Sequence, residues 1–270
     1  MADKDTARLT IDARGLMAGY GKGSRRHVVV SNADIQLRAG DFAVMVGANG
    51  AGKSTLLRTL AGIQPRLGGT LLLGGEDPAA MSRVRLARTV AMVFTERGGA
   101  GGLSVREFVS LGRQPHTGFF GRLSASDREA VERAMEQCSV ASLADKFMAR
   151  VSDGERQKAM IARALAQDTP VIMLDEPTSF LDVASRIEAL EALSSMARET
   201  GRTILLSTHD IAAALRAASH VVVVSPESGR ADTFAGGSPG LNKALDDIFA
   251  SRGITFDAAT ADFRMRHPKP

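Results

Sequence analysis

The run Gly47-Ala48-Asn49-Gly50-Ala51-Gly52-Lys53-Ser54 constrains this chain more than any other feature. It fits the spacing GxxxxGK[ST] and lies between an apolar strand pattern, Phe42 to Val46, and a helical pattern from Lys53 to Ala61. Glycines let the backbone turn its N–H groups inward around phosphate oxygens. The start of the following helix adds a partial positive charge. Lys53 supplies an ammonium for the outer phosphates, and Ser54 a hydroxyl for Mg²⁺, a hard cation that prefers oxygen. The predicted nucleotide contacts are therefore Gly47, Asn49, Gly50, Ala51, Gly52, Lys53, Ser54 and Thr55. The plain alternative is a glycine-rich turn with a chance lysine. It does not account for a strand before the run and a helix after it.

A second run, Val171 to Leu174, is an apolar strand that ends in two adjacent carboxylates, Asp175 and Glu176, before Pro177. A buried strand of a parallel sheet delivers such residues to its C-terminal edge, where folds of this class bind ligands. One carboxylate is suited to holding a metal ion, and the next to orienting and deprotonating water. His209 follows the short apolar strand Thr203 to Ser207 and is expected at the same edge, near developing phosphate charge. A lone surface histidine or ordinary strand-end polarity is the bland reading of each. Their placement after a phosphate loop favours the functional one.

Ser152 and Glu155 have the spacing of a capping box that opens a helix running to Gln167. The same helix start offers N–H groups and the Ser152 hydroxyl to an anion. Local sequence leaves both readings open. Ser126 with Glu129 reads as another capping box, starting an amphipathic run that ends near Cys138. Cys138 is the single cysteine, which excludes an internal disulfide and fits a reducing compartment; its apolar neighbours make it a small core residue rather than a catalytic thiol.

Strands and helices alternate, which argues for an α/β fold with a parallel sheet covered on both faces. Before this core, Leu9 to Val46 reads as short strands and turns, with Val28 to Val30 and Ala33 to Leu37 as separate pieces. Val90 to Phe94 reads as a strand, Gly98 to Gly102 as a loop, and Ser104 to Gln167 as a mostly helical insertion. Ile211 to Ala218 reads as a helix and Val221 to Val224 as a strand. The last 45 or so residues are Gly-, Ser- and Asp-rich with weak periodicity. No window approaches the roughly 18 apolar residues of a membrane span. The net charge of +4 is scattered, and with one Tyr and no Trp the chain lacks the basic, aromatic-laced stripe expected of a nucleic-acid binder.

Taken in order, these residues resemble the ATP-binding-cassette (ABC) ATPases over about Leu9 to Val224. The phosphate loop resembles the family's Walker A motif, Val171 to Glu176 its Walker B, and Ser152 to Gln157 its signature. Ser179-Phe180-Leu181-Asp182 resembles its D-loop and His209 its switch histidine. Tyr20, in Ala18-Gly19-Tyr20-Gly21, falls where the family places an aromatic against adenine. The resemblance implies an α/β P-loop NTPase (RecA-like) core with an N-terminal antiparallel β subdomain and an inserted α-helical subdomain. Residues 1–270 would form one ATPase domain: core 1–95 and 165–225, helical subdomain 96–164, and C-terminal extension 226–270. It also implies ATP and Mg²⁺, with Glu176 as general base, His209 and Lys53 catalytic, and Ser54 and Asp175 at the metal. Two subunits would pair head to tail, so that Ser152, Gly154 and Asp182 of one serve the ATP of the other.

The implied partners are two integral membrane permease subunits at the cytoplasmic face of the cell membrane and, indirectly, a periplasmic or surface substrate-binding protein. Leu111-Gly112-Arg113-Gln114-Pro115-His116 narrows the resemblance to importers of iron-siderophore, haem or cobalamin. Three positions depart from the family. Where it carries Gln after the strand Val90 to Phe94, this chain has Thr95-Glu96, so Glu96 or Thr95 would take the metal contact. In the signature, Asp153 stands for a usual Gly and Glu155 for a usual Gln, and both carboxylates are expected to turn away from phosphate. Two other functions fit parts of the pattern: a soluble ABC-type ATPase in Fe–S assembly or another non-transport role, and a small-molecule kinase with a phosphate loop.

Overall fold

A computed structural model of the chain describes residues 9–94, 101–118, 120–250, 253–257, 260 and 262–265. Two 12-residue strands open it, β1 (Leu9–Tyr20) and β2 (His27–Arg38), paired antiparallel. The pieces Val28 to Val30 and Ala33 to Leu37 are thus one continuous strand, whose register with β1 absorbs several bulges. Next come β3 (Phe42–Val46), α1 (Lys53–Leu60), β4 (Gly68–Leu73), α2 (Arg83–Thr89) and β5 (Val90–Val93). The helical stretch holds α3 (Val105–Ser110), α4 (Ala125–Gln137) and α5 (Asp153–Ala166). The chain then runs through β6 (Val171–Asp175), α6 (Val183–Thr200), β7 (Thr203–Ser207), α7 (Ile211–Ala217) and β8 (His220–Ser225).

Nine strands form one sheet in the order β4-β1-β2-β9-β8-β3-β7-β6-β5, where β9 is Arg230–Ala235. From β8 to β5 the strands are parallel, while β1, β2 and β4 pair antiparallel at the other end. Period-2 alternation sends β3 side chains into two cores. Phe42, Val44 and Val46 face the one shared with the helical stretch, and Ala43 and Met45 face the one shared with α1, β1 and β2. Both faces of β3 are covered, which is why it reads as a continuous apolar run.

Within the helical stretch, the expected capping box at Ser126 and Glu129 is displaced by two residues. Ser124 and Asp127 form it, and Ser126 lies inside α4. Asp127 wins because its carboxylate also pairs with the buried Arg113 at 2.8 Å, a tertiary contact unavailable to Glu129. Arg113 further donates to the Ala166 carbonyl at 2.8 Å, and His116 Nε2 lies 2.8 Å from the Gln167 carbonyl. The Leu111–His116 turn therefore ties α4 to the end of α5. Cys138 packs against the core, and burial pushes its thiol up to about 12, so it is not a nucleophile at neutral pH.

The C-terminal region is ordered around α8 (Pro239–Ala250) and a hairpin of β10 (Ile254–Asp257) and β11 (Asp262–Met265). Leu241, Leu245, Ile248 and Phe249 repeat at helical spacing and are buried. Phe263 closes on Phe249 and Phe256 with ring centroids 4.9 and 5.2 Å apart.

Candidate active site

Because β3, β7 and β6 are neighbours and parallel, the loops that follow them leave the sheet at one edge. A cleft of about 620 Å³ opens there, lined by Val29, Asn49, Gly50, Gly52, Lys53, Ser54, Thr55, Glu176 and His209. Two glycines of the phosphate loop are dictated by space. A Cβ at Gly47 would lie 2.6 Å from the Val224 carbonyl oxygen. Gly52 has φ +94°, and a Cβ there would lie 2.5 Å from Val29 Cγ1. The side chain of Ala51 turns instead into the core, and its N–H bonds to the Ala48 carbonyl at 3.1 Å.

Lys53 is buried at the loop's centre, and its ammonium donates to the carbonyls of Gly47 (2.8 Å) and Ala48 (3.1 Å). Burial lowers its pKa, opposed by the negative charges of Glu176 and Asp175. The loop thus presents a cation in a recess shaped by backbone, which is what a polyphosphate requires.

Asp175, also buried, accepts from Ser54 Oγ at 3.1 Å and from Ser207 Oγ at 2.6 Å. Ser54 and Asp175 therefore juxtapose a hydroxyl and a carboxylate oxygen, the hard donors that Mg²⁺ takes. The next residue, Glu176, has φ +48°, a left-handed backbone uncommon for a residue with a side chain. Its N–H is held by the Ser207 hydroxyl at 3.0 Å and the Ser207 carbonyl at 3.1 Å. Its Oε2 lies 3.4 Å from His209 Nδ1 and accepts from Ser179 Oγ at 3.1 Å.

Tyr20 is half exposed at the end of β1, and its hydroxyl is 2.7 Å from Thr55 Oγ1, which brings the ring beside α1 at the cleft. Ser152, Gly154 and Asp182 do not line the cleft of their own chain. Ser152 caps α5, with its Oγ accepting from Glu155 N (3.2 Å), while the Glu155 carboxylate accepts from Ser152 N (2.8 Å). Asp182 caps α6 through Ser185 N at 2.9 Å. The two residues weighed for the metal, Thr95 and Glu96, lie outside the described residues. Sequence reasoning missed Ser207, Ser179 and Arg186, which hold the carboxylates and their flanking loops. For Ser207 the one available signal is a hydroxyl directly after the apolar run Ile204 to Leu206 of β7.

Strand-end chemistry of this kind defines a phosphate-loop nucleotide hydrolase. A family model described as ABC transporter matches residues 30–179, more than half of the chain. The achromobactin transport ATP-binding protein CbrD of Dickeya dadantii is 38% identical over 237 residues, covering 87% of this chain and 85% of that protein. The ferric enterobactin transport ATP-binding protein FepC of Escherichia coli is 38% identical over 209 residues, covering 77% and 76%. Among solved structures, cbiO1 of Clostridium perfringens, part of the transporter complex cbiONQ, superposes with TM-score 0.74 at 25% identity, covering 91% and 96%. A dimeric cassette bound to ADP and phosphate after hydrolysis superposes with TM-score 0.72 at 22% identity, covering 83% and 98%, a likeness of fold. The chain belongs to the ABC transporter family, as an ATP-binding and ATP-hydrolysing subunit.

Proposed function

We propose that this subunit energises import of a metal chelate of the siderophore or cobalamin kind, by hydrolysing ATP between two copies of itself. The observation that carries the catalytic part is the contact of Glu176 Oε2 with His209 Nδ1 at 3.4 Å, in a cleft shared with Lys53 and Ser54. Lys53 exchanges its two loop carbonyls for phosphate oxygens, and the N–H groups at the start of α1 orient the chain of phosphates. Tyr20, held at Thr55, offers a ring face to adenine. Glu176 takes the proton from a water as its oxygen attacks the terminal phosphorus. The bond to the bridging oxygen breaks, leaving ADP and phosphate. His209 donates toward the terminal phosphate while restraining Glu176. Ser54 and Asp175 are the residues that would hold Mg²⁺, which neutralises phosphate charge when bound.

The second copy supplies what this cleft lacks. Ser152, Gly154 and the dipole of α5 belong at the terminal phosphate held by the partner, and the dimers formed by two cassettes of the same fold support a pairing of two copies. Two permease subunits at the cytoplasmic face of the cell membrane, and a binding protein on the far side, are the implied assembly. The cargo class rests on the printed roles of relatives: achromobactin, ferric enterobactin, iron(3+)-hydroxamate and cobalamin.

The test is steady-state hydrolysis with Mg²⁺ alongside ATP binding. Glu176→Gln keeps ATP and loses turnover on the order of 10²- to 10⁴-fold. Parental turnover in that variant would remove Glu176 from the chemistry. For cargo, uptake of radiolabelled ferric siderophore by cells with the gene deleted and restored is the measurement. Equal uptake in both excludes that class.

A further inference from the structure

Beyond the cleft, one charged side chain joins two segments that flank Glu176. Arg186, in the first turns of α6, donates from Nη1 to Asp210 Oδ2 at 2.6 Å and from Nη2 to the Leu181 carbonyl at 3.0 Å. Asp210 directly follows His209 and also caps α7 through Ala213 N (3.4 Å). Leu181 belongs to the turn closed by its N–H on the Thr178 carbonyl at 3.2 Å, the same turn from which Ser179 Oγ reaches Glu176. The contacts make a ring: Glu176 to His209, along the chain to Asp210, through Arg186 to Leu181, and through Ser179 back to Glu176. Burial pushes the Asp210 carboxyl up, yet the Arg186 guanidinium, the Ala213 N–H and His209 together hold it below the usual range, so it stays an anion able to keep Arg186. The start of α5 lies close by too: a Cβ added at Gly154 would be 3.4 Å from Leu181 Cδ2.

We propose that Arg186 is a positioning residue that locks the His209 loop to the Phe180–Leu181 turn, so that Glu176 is oriented from both sides. A guanidinium suits this task because its planar fork bonds a carboxylate and a carbonyl at once, and a lysine reaches only one of them well. Movement of Leu181 by a second copy is thereby passed to the histidine beside the base, without any contact between Arg186 and nucleotide.

The inference rests on Glu176 as the base, so the full-length protein is assayed in parallel with Glu176→Gln. In Arg186→Met, kcat falls on the order of ten- to a hundredfold, as expected for a slightly misplaced base. The Kd for ATP changes by less than about threefold in the same variant, since ground-state contacts are kept. Arg186→Lys recovers part of the loss. Asp210→Asn, which still caps α7, loses as much as Arg186→Met, and the double variant is no worse than either single one. Parental kcat in Arg186→Met beside an inactive Glu176→Gln overturns the inference alone. So do losses that multiply in the double variant, or an ATP affinity and melting temperature that fall in step with kcat. Turnover retained by Glu176→Gln would instead overturn the reading of the base itself.

Discussion

Ser207→Ala isolates the group that joins the two carboxylates. The Ser207 hydroxyl is fully buried, donates to Asp175 Oδ1 at 2.6 Å and accepts from Glu176 N at 3.0 Å. Removing it costs one charge-assisted hydrogen bond, about 1.5–3 kcal/mol. Asp175 keeps Ser54, and Glu176 N keeps the Ser207 carbonyl, so the damage does not reach that of an orphaned charge. The left-handed backbone at Glu176 loses one of its two restraints, and holding a side-chain-bearing residue there costs roughly 1–2 kcal/mol. Part of that strain relaxes by turning the carboxylate away, which lowers kcat by about tenfold or more with little change in the KM for ATP. Urea unfolding reads the stability and a phosphate-release assay the turnover. A variant within about 0.5 kcal/mol of the parent, with parental kcat, would refute the view that Ser207 organises the site.

Two further perturbations follow from contacts already described. Gly52→Ala forces a methyl against Val29 at φ +94°, so it should cost about 2 kcal/mol or more in urea unfolding and abolish binding of a fluorescent ATP analogue. Asp127, held down at about 2 first by its Ser124 hydrogen bonds and further by Arg113, lies below its unfolded value of 3.8. Its contribution is therefore complete above pH 3.8 and lost as pH falls through about 2. Urea midpoints in that window should drop for the parent and stay flatter in Asp127→Asn, which at neutral pH is less stable by about 3 kcal/mol because Arg113 is left buried.

What sequence could reveal followed the range of the interactions. The phosphate loop and the Ser152–Glu155 cap are set by residues within eight positions of each other, so spacing alone exposes them. Asp175, Glu176 and His209 were legible because apolar strands stop at them, and parallel pairing then brings the strand ends together. Ser207 on Asp175, and Arg186 between Asp210 and Leu181, depend on cross-strand register and on a helix start meeting a distant loop. The cap of α4 moved from Ser126 to Ser124 for the same reason, since the distant Arg113 pairs with Asp127 while Glu129 is exposed beside Arg133. The α8 helix was hidden by its Gly- and Ser-rich flanks, although its apolar spacing is regular once its ends are known.

The signature departures find their account in the same local chemistry. Two extra carboxylates at a helix start proposed to meet phosphate would repel the anion if both were free. Glu155 is not free: its carboxylate accepts the Ser152 N–H at 2.8 Å, and that backbone bond, with the Ser152 hydroxyl, holds its pKa below the usual carboxylate range. Asp153 sits one turn from Arg156, with the closest atoms 3.9 Å apart. Each carboxylate thus has a partner at its own helix start, and Gly154 lies near Leu181, where an added Cβ would make an ordinary contact at 3.4 Å. The helix start carries both acids in its first turn, a position in which negative charge stabilises the helix rather than opposing it.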